Sequence, residues 1–166
     1  ILLVKIGVVS DTHNNQRNIE KIISIFNQEQ VDLVIHTGDI ASSSALERFS
    51  KLNCKLIGVY GNNDREEDGL NEVANKNNFI FQEPPYPITI LDRKIVIFHE
   101  PELIEQYLQD NPNVDIVLHG HTHRYRNENK KGVLFFNPGE SAGMLKGRNA
   151  LGVLNLLDLK AERIFF

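Results

Sequence analysis

The chain has 166 residues, 41% of them hydrophobic and 24% charged, with a formal net charge of -4, ordinary values for one soluble domain with a full core. The acidic balance gives no electrostatic case for tight binding to nucleic acid. A single cysteine, Cys54, excludes an internal disulfide and a cysteine-built zinc site; it fits a reducing cytoplasm, and no apolar run is long enough to span a membrane.

Leu3 to Val9 is rich in branched apolar residues and predicts a first strand; Lys5 and Asp11 interrupt it too early for a signal segment. It ends at Ser10-Asp11-Thr12-His13, after which Ile19, Ile22, Ile23 and Phe26 recur at helical spacing. Asp32 to His36 repeats the strand and Thr37-Gly38-Asp39 the polar loop. A second helix follows from Ser42 to Ser44, carrying Ala45, Leu46, Phe49 and Leu52. Lys55 to Tyr60, Gly61 to Asp64 and a weaker helix with Leu70, Val73 and Ala74 form a third unit. Glu66-Glu67-Asp68 suits the macrodipole at that helix start. Three such units predict parallel strands joined by right-handed crossovers, with the polar loops gathered at the carboxyl end of the sheet.

The pattern changes after Pro84-Pro85-Tyr86-Pro87. Ile88 to Leu91 and Lys94 to Phe98 flank Asp92-Arg93 as a β-hairpin, and a helix around Leu103 to Leu108 precedes a strand over Asp115 to His119. Val133 to Phe136, Leu151 to Leu157 and Arg163 to Phe166 read as further strands, with Lys130-Lys131-Gly132 as an exposed hairpin turn. The expected architecture is α/β, two β-sheets packed face to face with helices outside, in one domain spanning 1–166.

The polar runs carry the chemistry. Asp11, His13, Asp39, Asn62, His99, His121 and His123 supply carboxylates, a carboxamide and imidazoles, a mixed oxygen and nitrogen set suited to divalent metals. Two cations about 3.5 to 4 Å apart need a bridge, and a carboxylate serves because each oxygen can reach a metal. Asp39 is the candidate bridge. One metal takes Asp11, His13, Asp39 and His123; the other takes Asp39, Asn62, His99 and His121. If these segments are extended, residues two apart share a side, so Asp11 with His13, and His121 with His123, aim inward together. A hydroxide bridging the metals would attack phosphorus in line while the cations stabilise the developing charge.

These motifs, Asp11-x-His13, Gly38-Asp39, Gly61-Asn62-x-Asp64, His99 and Gly120-His121-x-His123, in that order across nearly the whole chain, resemble the calcineurin-like metallophosphoesterase superfamily. The short length, Ser10-Asp11-Thr12-His13 and Asn137-Pro138-Gly139 resemble its small bacterial and archaeal phosphodiesterase branch, of the YfcE and MJ0936 type. The resemblance implies an αββα sandwich of two mixed sheets, a dinuclear Mn-type centre, and hydrolysis of a small phosphate ester, with phosphodiesters favoured. Fe²⁺, Co²⁺, Ni²⁺ and Zn²⁺ suit the same ligands. Two other readings share the fold: a protein-interaction scaffold of the Vps29 type, and a nuclease, for which the chain lacks a basic surface. Assembly stays open between monomer and homodimer, for which the apolar stretch Phe165-Phe166 offers an edge.

Three positions depart from the family pattern. Asn63 stands where larger members carry a His thought to protonate the leaving group; His99-Glu100-Pro101 replaces His-Gly-His; and Glu140 replaces a common Ser. Other polar residues read as structural. His36 and His119, inside apolar strands, are expected to be buried and hydrogen-bonded rather than ligands. Asp64 is expected to orient a loop or ligand, Asp115 to cap a strand entrance or meet solvent, Arg124 to face solvent or phosphate, and Tyr86 and Phe136 to pack in the core or an interface in preference to lining a substrate groove.

Overall fold

A computed structural model of the chain describes residues 3–64, 69–144 and 147–166. The acidic run Glu66-Glu67-Asp68 lies outside the described residues.

The amino-terminal half alternates strand and helix as its periodicity requires. Strands β1 (Lys5–Val9), β2 (Leu33–His36) and β3 (Lys55–Val59) alternate with helices α1 (Gln16–Glu29), α2 (Ser43–Arg48) and α3 (Leu70–Lys76). Helix α1 starts where the Asn15 side chain accepts the Asn18 N–H, α2 where Ser42 accepts the Ala45 N–H, satisfying amides that a helix start leaves unpaired. The three strands pair in parallel, and a short β4 (Ile80–Gln82) adds to β3.

The second half contributes β5 (Tyr86–Ile90), β6 (Arg93–Ile97), helix α4 (Ile104–Asp110), β7 (Ile116–Leu118), β8 (Arg126–Lys130), β9 (Val133–Asn137), β10 (Ala150–Asn155) and β11 (Lys160–Phe165). One sheet has the order β11-β10-β1-β2-β3-β4, the other β5-β6-β7-β9-β8, and each mixes parallel and antiparallel pairs. The hairpin between β5 and β6 turns at Leu91 and Asp92, both with positive φ. Asp115 caps the second sheet as its charge and position suggest: its carboxylate accepts the Lys94 N–H at 2.8 Å, and its carbonyl accepts the Leu134 N–H.

Apolar contacts define the layers. Ile19, Ile22 and Phe26 of α1 and Leu46 of α2 pack with Val9, Val34 and Leu56 on one face of the six-stranded sheet. On its other face Ile6, Val8, Ile35 and Ile57 meet Ile95, Ile97, Leu118 and Phe136 of the second sheet, whose outer face packs Val96, Val117 and Phe135 against Ile104. This is an αββα sandwich. Successive residues on each central strand face opposite layers, so the strands read as nearly continuous apolar runs. No helix among the described residues is long and apolar enough to cross a membrane.

Candidate metal centre

The parallel strands β1, β2, β3, β6 and β7 all run out at the same end of the sandwich, and the loops leaving them carry the polar motifs. Two clusters form there. Ligating atoms of Asp11, His13 and His123 lie within 4.8 Å of one another, as do those of Asp39, His99 and His121. Asn62 joins the second cluster: its Oδ1 lies 2.8 Å from His99 Nε2 and 3.2 Å from His121 Nδ1. Asp39 stands between the clusters, its Oδ2 3.4 Å from His99 Nε2 and 3.8 Å from His13 Nε2.

The backbone reaches this arrangement by a route that spacing did not suggest. Asp11, His13, His121 and His123 are not extended; their φ angles are 52°, 46°, 68° and 59°, and that of Asp39 is 63°. Asp11 and His13 nonetheless meet in one cluster, whereas His121 and His123 part. His121 joins the Asp39 cluster and His123 the Asp11 cluster, a correction to the extended geometry. Left-handed backbone at non-glycine residues costs free energy and persists where surrounding bonds impose it. Here the Asp11 N–H donates to Gly38 O at 3.0 Å and the His13 N–H to Asp39 O at 2.9 Å, so the first two loops are laced together.

Asp11 is held through one carboxylate oxygen and Asp64 through both. Asp11 Oδ2 accepts the Ser10 hydroxyl at 2.6 Å and the His121 N–H at 3.1 Å. Asp11 Oδ1 is buried and has no hydrogen-bond partner, as is His13 Nε2; the nearest imidazole nitrogen to Oδ1 is His123 Nε2 at 3.5 Å, beyond a good hydrogen bond. Asp64 takes four backbone amides: Asp39 and Gly61 on Oδ2, both at 2.8 Å, and Ile40 and Ala41 on Oδ1, at 2.8 and 2.7 Å. It touches the loops and not the clusters. Burial pushes its pKa upward, reinforced by the charge of Asp39, against the pull of these amides.

His99 shows why the second cluster suits a cation. With its Nδ1 2.8 Å from the Thr37 carbonyl, that nitrogen carries the proton and Nε2 presents its lone pair. Asn62 Oδ1 and Asp39 Oδ2 then converge on a third acceptor, with His121 Nδ1 beside them at 3.2 Å from Asn62 Oδ1 and 3.3 Å from His99 Nε2. A divalent cation resolves that conflict, and in its absence a proton does. Burial opposes protonation of His99, but the adjacent Asp39 carboxylate outweighs it and raises the pKa. Burial works against Asp39's charge too, yet His99 and the Asn63 amide hold its carboxyl below the usual range. The acceptor conflict, the buried unpartnered atoms of Asp11 and His13, and the oxygen and nitrogen donor set fit two divalent ions.

Two glycines make the close approach possible. A Cβ on Gly120 would lie 1.9 Å from Ser10 Oγ and 2.9 Å from Asp11 Oδ2, and one on Gly61 would lie 2.2 Å from Asp39 Oδ1.

Several residues took roles that their types did not announce. Asn63 donates its backbone N–H to Asp39 Oδ1 and its side-chain amide to Asp39 Oδ2, both at 3.0 Å. Glu140 is buried, and its Oε2 accepts the Ala142 and Gly143 amides at 2.6 and 3.1 Å, shaping the loop beside His123. Pro101 opens a 3-10 turn that leads into α4 after His99-Glu100. Arg124 is exposed, and its N–H donates to Thr122 Oγ1. His36 and His119 are buried, hydrogen-bonded and outside both clusters.

The chain compares closely with known proteins. Residues 4–161 match the model of the calcineurin-like phosphoesterase superfamily domain. Phosphodiesterase MJ0936 of Methanocaldococcus jannaschii is 39% identical over 155 residues, covering 92% of this chain and 93% of its own length. A solved structure of an archaeal phosphodiesterase superposes with a TM-score of 0.89 at 36% identity, over 98% of this chain and 99% of that one. Vps29 from Entamoeba histolytica shares the fold, with a TM-score of 0.68 at 22% identity over 98% and 99% of the two chains. On this coverage and identity, the chain belongs to the calcineurin-like phosphoesterase superfamily.

Proposed function

We propose that the protein is a phosphodiesterase that hydrolyses a small phosphate ester with two divalent cations, Mn²⁺ foremost. The observation that carries this reading is the pair of clusters, Asp11-His13-His123 and Asp39-His99-His121, with Asp39 Oδ2 facing imidazoles of both. The phosphodiesterase relative, aligned over nearly its full length, supports the choice of reaction.

Asp11, His13, Asp39 and His123 would hold one cation, and Asp39, Asn62, His99 and His121 the other. Bound there, the cations supply Lewis acidity toward the phosphate oxygens and acidify water to a nucleophile at neutral pH. The chain fixes the ligands beforehand. Asp64 sets the Asp39 loop through four amides, the Thr37 carbonyl aims His99, and Ser10 with the His121 amide leaves one oxygen of Asp11 free. Such preorganisation avoids reorganisation cost during the reaction. Asn63 donates hydrogen bonds but has no titratable proton for a leaving group, so solvent must protonate it and aryl esters are favoured over alkyl esters. A second copy would dock at the open edge strand β11, where Phe165 is 55% exposed.

The test is hydrolysis of bis(p-nitrophenyl) phosphate by chelator-treated protein with and without Mn²⁺. Activity that disappears with the chelator and returns with the metal is expected. No turnover with Mn²⁺, Fe²⁺, Co²⁺, Ni²⁺ or Zn²⁺ would replace this reading with that of a binding scaffold.

A further inference from the structure

His36 ends β2, is fully buried, and belongs to neither ligand cluster. Its ring stands edge-on to Phe49, centroids 5.8 Å apart, and tilted toward Phe81 at 6.5 Å. Within this apolar wall it makes two polar contacts. The Gly38 N–H donates to Nδ1 at 3.0 Å, which requires a lone pair on that nitrogen. The proton of the neutral ring is therefore on Nε2, which donates to Thr12 Oγ1 at 3.0 Å. Desolvation by burial keeps the ring neutral, its pKa pushed down to about 3.

Both contacts fall beside proposed cation ligands. Thr12 lies between Asp11 and His13, and Gly38 immediately precedes Asp39. These loops carry most of one cation site and the carboxylate shared by both. We propose that His36 is a positioning residue for the metal centre: one neutral imidazole, accepting from one loop and donating to the other, sets the separation of the Asp11–His13 loop from Asp39. With that separation it sets the span between the two cation sites. The backbone bonds Asp11 N–H to Gly38 O and His13 N–H to Asp39 O tie the loops at their rims; His36 tethers them from behind. This proposal rests on the two-cation reading of the site.

The chemistry of the ring suggests three variants. In His36→Asn, Oδ1 takes the place of Nδ1 and can accept the Gly38 N–H, while the bond to Thr12 is lost. In His36→Gln, Nε2 takes the place of the ring Nε2 and can donate to Thr12, while the bond to Gly38 is lost. His36→Leu keeps neither and leaves the Gly38 amide buried without its acceptor.

Mn²⁺ affinity of the chelator-treated wild type and variants would be measured by competition with a fluorescent chelator. The exchange coupling of the loaded pair would be read by electron paramagnetic resonance, and unfolding of the metal-free forms by thermal melting. Losing outer-shell support for a metal site costs about 10- to 100-fold in affinity. His36→Leu is expected to lose that much and to change the coupling, with Asn and Gln each recovering part of the affinity. If His36→Leu does not fold, Asn and Gln carry the test, each binding Mn²⁺ more weakly than wild type. Variants that melt at lower temperature but bind Mn²⁺ with wild-type affinity and coupling would overturn the positioning role and leave the two-cation reading intact. Failure of the wild type to take up two cations would overturn both.

Discussion

The Asp64 carboxylate receives the backbone N–H of Asp39 at 2.8 Å while touching none of the clustered imidazoles. Asp64 shapes the centre by holding the turn from which Asp39 projects, and it also takes the amides of Ile40, Ala41 and Gly61. Asp64→Ala strands four backbone donors. With about 1 to 3 kcal/mol for each unsatisfied buried group and partial rescue by water, the loss of stability is expected to be at least about 3 kcal/mol. Chemical denaturation of the metal-free protein measures it. A loss below about 1 kcal/mol would mean that the loop holds its shape without Asp64.

Gly120 offers a more local perturbation. A methyl group there would meet Ser10 Oγ at 1.9 Å, and the hydroxyl it displaces is the one bonded to Asp11. Gly120→Ala is expected to weaken cation binding at the Asp11-His13-His123 cluster more than at the Asp39 cluster. Titration with Mn²⁺ would show one of two binding steps moved to higher concentration, and an equal shift of both steps would contradict this.

Asn63 places a hydrogen-bond donor, without an acid, on the proposed bridging carboxylate. Asn63→His restores a titratable proton at that position. General acid assistance matters most where the leaving group is poor. The variant should raise kcat on an alkyl phosphodiester by about 10-fold or more while changing bis(p-nitrophenyl) phosphate turnover by less than about 3-fold. Parallel rate constants on both substrates decide it, and equal gains on the two would show that the residue acts in binding.

Buried histidines make stability depend on pH in two opposed ways. Burial pushes the pKa of His36 down to about 3 and of His119 to about 4, from an ordinary 6.5. An unfolded chain takes up these protons below 6.5 and the native one does not, so stability falls as pH drops from 6.5 toward those values. The shift is reversed in the cation-free protein at His123, mainly through the Asp11 carboxylate 3.5 Å from its Nε2, and at His99, where Asp39 overcomes the effect of burial. Their contribution is complete below 6.5 and fades as pH rises through the raised values. Imidazole NMR signals of His36 and His119 should stay fixed from pH 8 to 5 while those of His99 and His123 titrate above 6.5. A midpoint near 6.5 for His36 would contradict its burial as a neutral ring.

Much of this architecture is legible in the residues. The apolar runs before Asp11, Asp39 and Asn62, each followed by a polar loop and helical spacing, give the parallel core and the end where the loops meet. Two strands escape such reading for physical reasons. β4 has three residues, all at least partly exposed, and β8 is Arg-Asn-Glu-Asn-Lys, an edge strand whose pairing with β9 defines it in place of any apolar alternation. At the site, ligand types and loop positions are readable, but left-handed backbone at Asp11, His13, His121 and His123 is not, because long-range contacts such as the Asp11 N–H to Gly38 O bond impose it. The same holds for His36: its burial follows from the strand around it, whereas its bonds to Thr12 and Gly38 exist only once two loops are folded together.

The central claim is that two neighbouring clusters share Asp39 and hold two cations. Anomalous diffraction from Mn²⁺-loaded crystals tests it most directly. The account predicts two peaks about 3.5 to 4 Å apart, one among Asp11, His13 and His123 and the other among Asn62, His99 and His121, with the Asp39 carboxylate bonded to both. A single peak, or two peaks of which only one contacts Asp39, would contradict it.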